Sequence, residues 1–195
     1  MIRLFTALCK TLFDSFTDEI IFQKATDDFN HYCVKCPNCG VIGKLEFYAK
    51  YFRSLISYED GTIRCRRVST LRFKCKSCNT THALLPDILI PYSPYSLRFV
   101  LTVLIVYFER ETTVAAICER FFIAVSTLYA WKQRLLEHKE LMIGVLLSKK
   151  EPALAFLSSL FESIVLSERL QDFYRRYAFS FLQNKSMVTA YYYPP

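Results

Sequence analysis

Two pairs of cysteines in this sequence share one spacing, with two residues between the members of each pair: Cys36-Pro37-Asn38-Cys39 and Cys75-Lys76-Ser77-Cys78. This spacing lets both thiolates of a tight turn reach the same ion, while N–H groups of the turn point at the sulfurs. Two such turns supply the four soft ligands that Zn²⁺ binds as a tetrahedron. The sequence therefore predicts one structural zinc ion, closed to water, bound by Cys36, Cys39, Cys75 and Cys78.

Other uses of these cysteines, and other ligands, stay open at this stage. Cys33 forms a further pair with Cys36, and His31 and His82 are close in sequence to the two turns, so one of them could replace a chosen ligand. Disulfide bonds are disfavoured because no cleavable signal peptide is recognisable, which predicts a cytoplasmic location where thiols stay reduced. Redox chemistry at a single pair would leave the second pair unexplained.

Positive charge is concentrated around and after the cysteines. The net charge is +7, and residues 33–140 hold 16 basic and 9 acidic residues. A stretch of thirteen residues without an acidic side chain carries six of the basic ones: Arg64, Arg66, Arg67, Arg72, Lys74 and Lys76. Such a stripe is typical of a surface that contacts the phosphates of nucleic acid. A solvated strand face, charged to prevent edge aggregation, is the alternative.

The segment between the cysteine pairs has the pattern of a β-hairpin. Apolar and polar residues alternate over 45–51 and again over 71–76, and Asp60-Gly61 is a turn signal between them. Two cysteine turns joined by a long hairpin describe a zinc ribbon, with Arg72, Lys74 and Lys76 on one face. The predicted fold class is therefore α+β: a small zinc ribbon followed by a helical part.

Three helices are predicted after a proline-bearing connector, residues 86–94. Ser93 before Pro94 is a suitable start for the first, which runs to about Arg110. The second begins near Thr112 or Thr113, and the third covers Ser126 to His138, with Leu128, Trp131 and Leu135 turned inward. Such a set is typical of a helix-turn-helix bundle, although a plain three-helix bundle with a charged outer face is the alternative.

If the third of these helices reads DNA, its outward residues divide into two groups. Ser126, Thr127 and Tyr129 would face base edges, while Lys132, Gln133 and Arg134 would reach phosphates.

The two ends of the chain also have helical patterns. Apolar residues recur at spacings of three and four residues over 2–16, which predicts an amphipathic helix. Two more helices are predicted around Pro152 to Leu166 and Glu168 to Leu182, followed by a disordered tail. The expected segments are thus an N-terminal helical part (1–30), a zinc ribbon (31–90), a helix-turn-helix bundle (91–140) and a C-terminal helical extension (141–195).

The order CPNCG, basic strand, FKCKSC, proline connector and TVAAICERFFIAVSTLYAWKQRL resembles the N-terminal zinc-ribbon and helix-turn-helix region of bacterial insertion-sequence transposases over residues 33–140. The resemblance implies DNA recognition, with the four cysteines as zinc ligands and Ser126 to Gln133 as the recognition helix. Two positions depart from the pattern, since Phe122 stands where the turn often has glycine and Ala124 where a capping residue is common. Only 55 residues follow residue 140, too few for the RNase-H-like catalytic domain of those enzymes, which needs on the order of 100.

The expected function is that of a zinc-dependent, non-enzymatic DNA-binding protein, nucleoid-associated when bound. Double-stranded DNA is the expected partner, together with a possible homodimer through the C-terminal helices, and neither a membrane nor a small-molecule substrate is expected. Two alternatives remain: the DNA-recognition part of a split transposase whose catalytic residues are in a partner, and a protein-interaction module.

Overall fold

The computed structural model describes residues 1–5, 15–162 and 166–184. It confirms a mixed α+β fold, in which a four-stranded sheet is followed by a series of α-helices. The strands are β1 (Ile2–Leu4), β2 (Leu45–Glu59), β3 (Thr62–Cys75) and β4 (Thr81–Pro86), in the spatial order β1-β4-β3-β2.

Strands β2 and β3 form the predicted long antiparallel hairpin. Its two-residue turn is Asp60-Gly61, and both residues have positive φ (49° and 76°), as a type I′ turn requires. The pairing shifts once, between Phe47 and Ala49, where Tyr48 is the extra residue of a bulge. Strand β4 adds to β3 in antiparallel orientation.

The N-terminus differs from the prediction. Residues 2–4 are a strand rather than the start of a helix, because they pair in parallel with Leu84–Pro86 of β4. The rest of the predicted helix falls largely on residues 6–14, outside the described residues. Helix α1 (Asp18–Asp27) follows, capped by the Thr17 hydroxyl, and a 2.8 Å ion pair between Asp18 and Arg98 fixes it to the helical part.

The described residues after the sheet contain helices α2 (Leu97–Glu109), α3 (Val114–Phe121), α4 (Val125–Ile143), α5 (Val145–Lys150), α6 (Ala153–Glu162) and α7 (Leu166–Tyr177). Helix α2 begins after Ser96, not Ser93, because the Ser96 hydroxyl accepts the N–H of Phe99. The predicted start of α3 near Thr112 or Thr113 is confirmed, and the Thr113 hydroxyl caps the helix by accepting the N–H of Ala116. The predicted disordered tail lies outside the described residues from residue 185 onward.

Two apolar clusters organise the molecule. A small one surrounds the cysteines and contains Leu45, Phe73 and Leu84. The large one joins the outer half of the hairpin, through Leu55 and Val68, to the helices. The connector belongs to this large core as well, because residues 88–90 are buried, so it is not an exposed linker. The segment boundaries near residues 90 and 140 stay predictions.

Within the described ranges, no single helix is long and apolar enough to cross a membrane. Helices α3 and α4 reach that length and composition only when they are counted together, and the pair is bent by 103°.

Candidate metal centre and nucleic-acid interface

The two cysteine turns have the same backbone geometry. In each, the residue after the second cysteine donates its N–H to the carbonyl of the first cysteine, from Gly40 to Cys36 and from Asn79 to Cys75, both at 2.9 Å. Gly40 (φ 75°) and Asn79 (φ 57°) both have left-handed backbone conformations. Glycine and asparagine adopt this conformation at the lowest cost, which explains why these two types stand at these positions.

The turns bring the four predicted sulfur atoms together. The Sγ atoms of Cys36, Cys39, Cys75 and Cys78 all lie within 4.8 Å of one another. Two of the distances, Cys36 to Cys78 and Cys39 to Cys75, are 3.7 Å. A tetrahedron with Zn–S bonds of about 2.3 Å has S–S edges of about 3.8 Å, so the four thiols have the spacing of a tetrahedral metal site. These four cysteines could hold a metal ion.

The electrostatics of the cluster favour a bound cation. The Thr80 hydroxyl, the Asn38 side chain and the Thr80 N–H lower the pKa of Cys78 to about 6. The N–H of Cys78 is the main cause of a lowered pKa at Cys75. At Cys39 the Val41 N–H favours the thiolate, but desolvation and hydrogen bonding to the other three sulfurs outweigh it and raise the pKa to about 12. The four thiols therefore differ, with the thiolate favoured at Cys75 and Cys78 and disfavoured at Cys39.

His82 lies directly behind the cluster. Its Nε2 is 3.3 Å from the Cys36 sulfur, and its Nδ1 is 3.4 Å from the Met1 ammonium. These contacts fit a ring whose Nδ1 accepts from the terminal amino group and whose Nε2 donates to the sulfur. Desolvation and the ammonium charge lower the pKa of His82 to about 4, so the ring is neutral. A neutral ring that donates to a ligand sulfur orients and stabilises that ligand.

The other residues considered as ligands lie apart from this cluster. Among the described residues, the group that could hold a metal ion consists of the four cysteines. Cys33 is exposed and does not belong to it. The His31 ring stacks against Phe73 at 5.5 Å between centroids. From the sequence, His82 is a candidate replacement ligand; in the structure it lies on β4 opposite Phe73 of β3, outside the four-cysteine group, and contacts the Cys36 sulfur.

The basic residues of β3 do not form one continuous surface. Arg64 is exposed near the hairpin turn, whereas Arg72 and Lys74 lie near the cysteines, and buried Val68 and Thr70 separate the two groups. Arg72 lies over the Tyr51 ring at 5.6 Å. Lys76 forms an exposed ion pair with Glu46. The predicted stripe is therefore divided into a hairpin end and a cysteine end.

Arg66, assigned to phosphates from the sequence, is engaged within the protein. Its guanidinium contacts Glu19 at 2.9 Å and Glu59 at 2.8 Å, and only 29% of the side chain is exposed. These ion pairs join helix α1 to the hairpin. The residue therefore has a structural role, and its assignment to phosphates stays a prediction.

Helices α3 and α4 are joined by three residues, 122–124, and bent by 103°. Phe122 has the left-handed conformation (φ 49°) usually taken by glycine, and the N–H groups of Phe122 and Ile123 close a Schellman motif on Glu119 and Cys118. Ala124 is the N-cap of α4 and makes no side-chain capping bond. The sharp turn thus forms despite two residues that are poorly suited to it.

Helix α4 exposes part of its predicted DNA-reading surface. Ser126, Tyr129 and Gln133 are exposed, while Thr127, Lys132 and Arg134 are half-buried. The Lys132 ammonium lies over the rings of Tyr107 (5.4 Å) and Tyr129 (5.7 Å), and Gln133 donates to Glu137. Trp131, predicted to be in the core, is buried there with Leu128 and Leu135.

Comparison with known proteins gives a match to one family model. Residues 36–131 match the model of a family described as a domain of unknown function, DUF6431. No curated protein and no solved structure shows significant similarity to the chain. The matched stretch begins at the first cysteine of the cluster and ends at Trp131, so it contains both cysteine turns, the hairpin and the α3–α4 turn.

Proposed function

We propose that this protein is a zinc-dependent, non-enzymatic DNA-binding protein, related to the DNA-recognition region of insertion-sequence transposases. The observation that carries this proposal is the pairing of a four-sulfur cluster with a basic hairpin and a sharply bent helix pair in one stretch of chain. The four sulfurs support a zinc ribbon, and the helix pair supports a helix-turn-helix. Each of these units is common in DNA-binding proteins.

Zinc is the metal that best fits the cluster. Four thiolates at tetrahedral spacing match structural zinc sites, and a site closed by four protein ligands has no position for a reactive water. The ion would hold the turns at residues 36–39 and 75–78 together and so fix the base of the hairpin. The metal is therefore assigned to folding rather than to catalysis.

DNA recognition is assigned to α4. A bend of 103° between α3 and α4 is within the range of about 90–120° that helix-turn-helix motifs show. The exposed side chains at the start of α4, Ser126 and Tyr129, are where such motifs contact base edges. Since they are small or neutral, we expect modest sequence specificity, with phosphate contacts and DNA shape supplying much of the selectivity.

Phosphate contacts are assigned to the cations that remain available. Arg64, Arg72 and Lys74 on the hairpin belong to this group, and Lys132 and Arg134 on α4 extend it. Lys76 is included because its pairing with Glu46 is exposed and can exchange for a phosphate at little cost.

A second copy of the chain is a further proposed partner. Helix α5 exposes Val145, Leu146 and Leu147. Neighbouring apolar side chains of this kind favour a protein contact, and a homodimer through the C-terminal part would place two copies of α4 on one DNA. The same surface would serve the alternative of a protein-interaction module or a split transposase.

Titration of a fluorescent DNA duplex at several salt concentrations tests the proposal. We expect the logarithm of the affinity to fall linearly with the logarithm of the salt concentration, by about 0.9 per phosphate contact. Stripping zinc with a chelator should abolish this binding, and restoring zinc should recover it. Binding that is unaffected by salt would favour protein docking instead, and strand transfer after mixing with a partner protein would favour the split transposase.

A further inference from the structure

A large groove lies beside the metal centre, and the proposed helix-turn-helix does not use it. Its volume is about 1050 Å³, and its walls come from β2, β3, β4 and the loop 91–94. That volume is at or above the upper end of the range for small-molecule sites, roughly 300–1,000 Å³, so the groove can hold more than a single ion.

The groove is lined by cations, and none of the described residues that line it is acidic. Arg53 and Arg72 both line it, and Met1 is a further lining residue. Among the described residues, neither arginine has a carboxylate within ion-pair distance. Arg53 instead donates to the Ser93 carbonyl, and desolvation lowers its pKa. Two guanidinium groups that have no carboxylate partner and lie in one concave site are suited to bind phosphate.

Aromatic rings accompany these cations. Tyr51 lies in the groove beneath the Arg72 guanidinium. Tyr92, in the loop that forms one wall, is 53% exposed and has the left-handed backbone conformation, with φ of 61°. A bulky residue seldom adopts this conformation, and such strain is often retained at binding sites. The loop thus places a half-exposed aromatic side chain in the same groove as the two guanidinium groups.

We propose that this groove binds unpaired nucleotides of a DNA strand next to the duplex, with phosphates on Arg53 and Arg72 and a base stacked on Tyr92. Inside a duplex the bases are stacked on one another, so away from a duplex end an aromatic ring in a concave groove can stack only on a base that is unpaired. Basic grooves with aromatic platforms are the common solution for single-stranded nucleic acid. The inference rests on the proposed function, since it adds an end or a gap in the strand to the DNA that the protein recognises.

The test compares three fluorescent duplexes of one sequence with the full-length, zinc-loaded protein. One duplex is blunt, one has a short thymidine tail, and one has a tail of abasic residues; tails at the 5′ and 3′ ends are assayed separately. We expect at least one thymidine tail to raise affinity over the blunt duplex by about fivefold or more, near the low end of what one stacked base supplies. The abasic tail should lose most of this gain.

Variants of Tyr92 test whether the gain in affinity comes from the groove. Tyr92→Ser should remove the preference for the tail and leave blunt-duplex affinity unchanged, which also shows that the variant is folded. Tyr92→Phe keeps the ring and the backbone strain, so it should keep the preference. Equal binding of tailed and blunt duplexes, equal binding of abasic and thymidine tails, or an undiminished preference in Tyr92→Ser would each overturn the inference.

The two proposals fail in different ways. Duplex binding without a preference for the tail would refute the binding of unpaired nucleotides in the groove, but it would be consistent with the proposed function. Binding of the single strand that depends on Tyr92, without any binding of the duplex, would refute the proposed function. It would still support the groove as a site for unpaired nucleotides. If neither DNA binds, both are wrong.

Discussion

Gly40 and Asn79 hold equivalent positions in the two cysteine turns. Each follows the second cysteine of its pair, has a positive φ, and donates its N–H to the carbonyl of the first cysteine at 2.9 Å. The two turns are thus built alike, although their sequences share little beyond the cysteines. The conformation of these two residues is what places each pair of sulfurs toward the centre.

Replacing Gly40 by alanine should therefore weaken metal binding. A Cβ at this position would meet no atom within 4 Å, so the cost comes from the backbone conformation alone. That cost is about 1–2 kcal/mol, or roughly 5- to 30-fold in zinc affinity. Asn79→Gly is the matched control and should bind zinc at least as tightly as the wild type. Competition with a chromogenic chelator measures both, and an unchanged affinity in Gly40→Ala would contradict this account.

The turn between α3 and α4 should become more stable with glycine at position 122. Phe122 is 84% exposed and has a φ of 49°, so its ring contributes little while its backbone is strained. Phe122→Gly should raise the free energy of unfolding by about 1 kcal/mol. Phe122→Ala removes the ring but keeps a Cβ, and it should give no comparable gain. Thermal or denaturant unfolding measures the stability of both variants. Equal stability of the two would show that the strain is absent.

The free energy of unfolding should depend on pH through Glu59, because this carboxylate forms an ion pair with Arg66. Desolvation opposes ionisation of Glu59, but hydrogen bonds from Ser57 and Arg66 outweigh it and lower its pKa below the usual 4.5. A carboxylate with a lowered pKa stabilises the fold above about pH 4.5, and this contribution is lost as the pH falls further. Glu59→Gln should cost about 1–2 kcal/mol at pH 7, and the difference from wild type should shrink below pH 4.5.

Glu46→Gln is the control for that pH dependence. Glu46 pairs with Lys76 at the surface, where 55% of the Glu46 side chain is exposed, so its loss should change stability by less than about 0.5 kcal/mol. A Glu59→Gln variant whose deficit stays constant from pH 7 to pH 3.5 would exclude the ionised Glu59 as the cause.

Replacing both Arg72 and Lys74 by alanine should weaken DNA binding without changing which sequence is preferred. Both residues are assigned to phosphates, so the double variant should reduce the salt slope by about 0.9 for each phosphate that is no longer neutralised. Lys149 and Lys150 are exposed on α5, and their double alanine variant is a control with the same reduction in charge. If both variants reduce the slope equally, the effect is one of net charge, and the cysteine end of the hairpin is not the surface that binds DNA.

Local sequence signals predicted the metal cluster and the hairpin. The cysteine spacing and the Asp60-Gly61 turn each act within a few residues, so no knowledge of distant partners was needed. The start of α3 at Thr113 and the burial of Trp131 followed from local patterns in the same way.

The errors arose where distant residues decide the structure. Ile2–Leu4 has apolar spacing that fits a helix, but a free edge of β4 recruits it as a strand. The ion pairs of Arg66 could not be predicted for the same reason, because only the folded chain brings Glu19 and Glu59 to it; its contact with phosphate stays a prediction. Ser93 and Ser96 are both plausible caps, and the burial of the connector selects Ser96.

X-ray absorption at the zinc edge of the purified protein tests the central claim most directly, because that claim is a single ion held by Cys36, Cys39, Cys75 and Cys78. We expect about one zinc per chain with four sulfur ligands at about 2.3 Å, and loss of the metal in Cys39→Ser. A spectrum with nitrogen or oxygen ligands, or full zinc content in Cys39→Ser, would contradict the account.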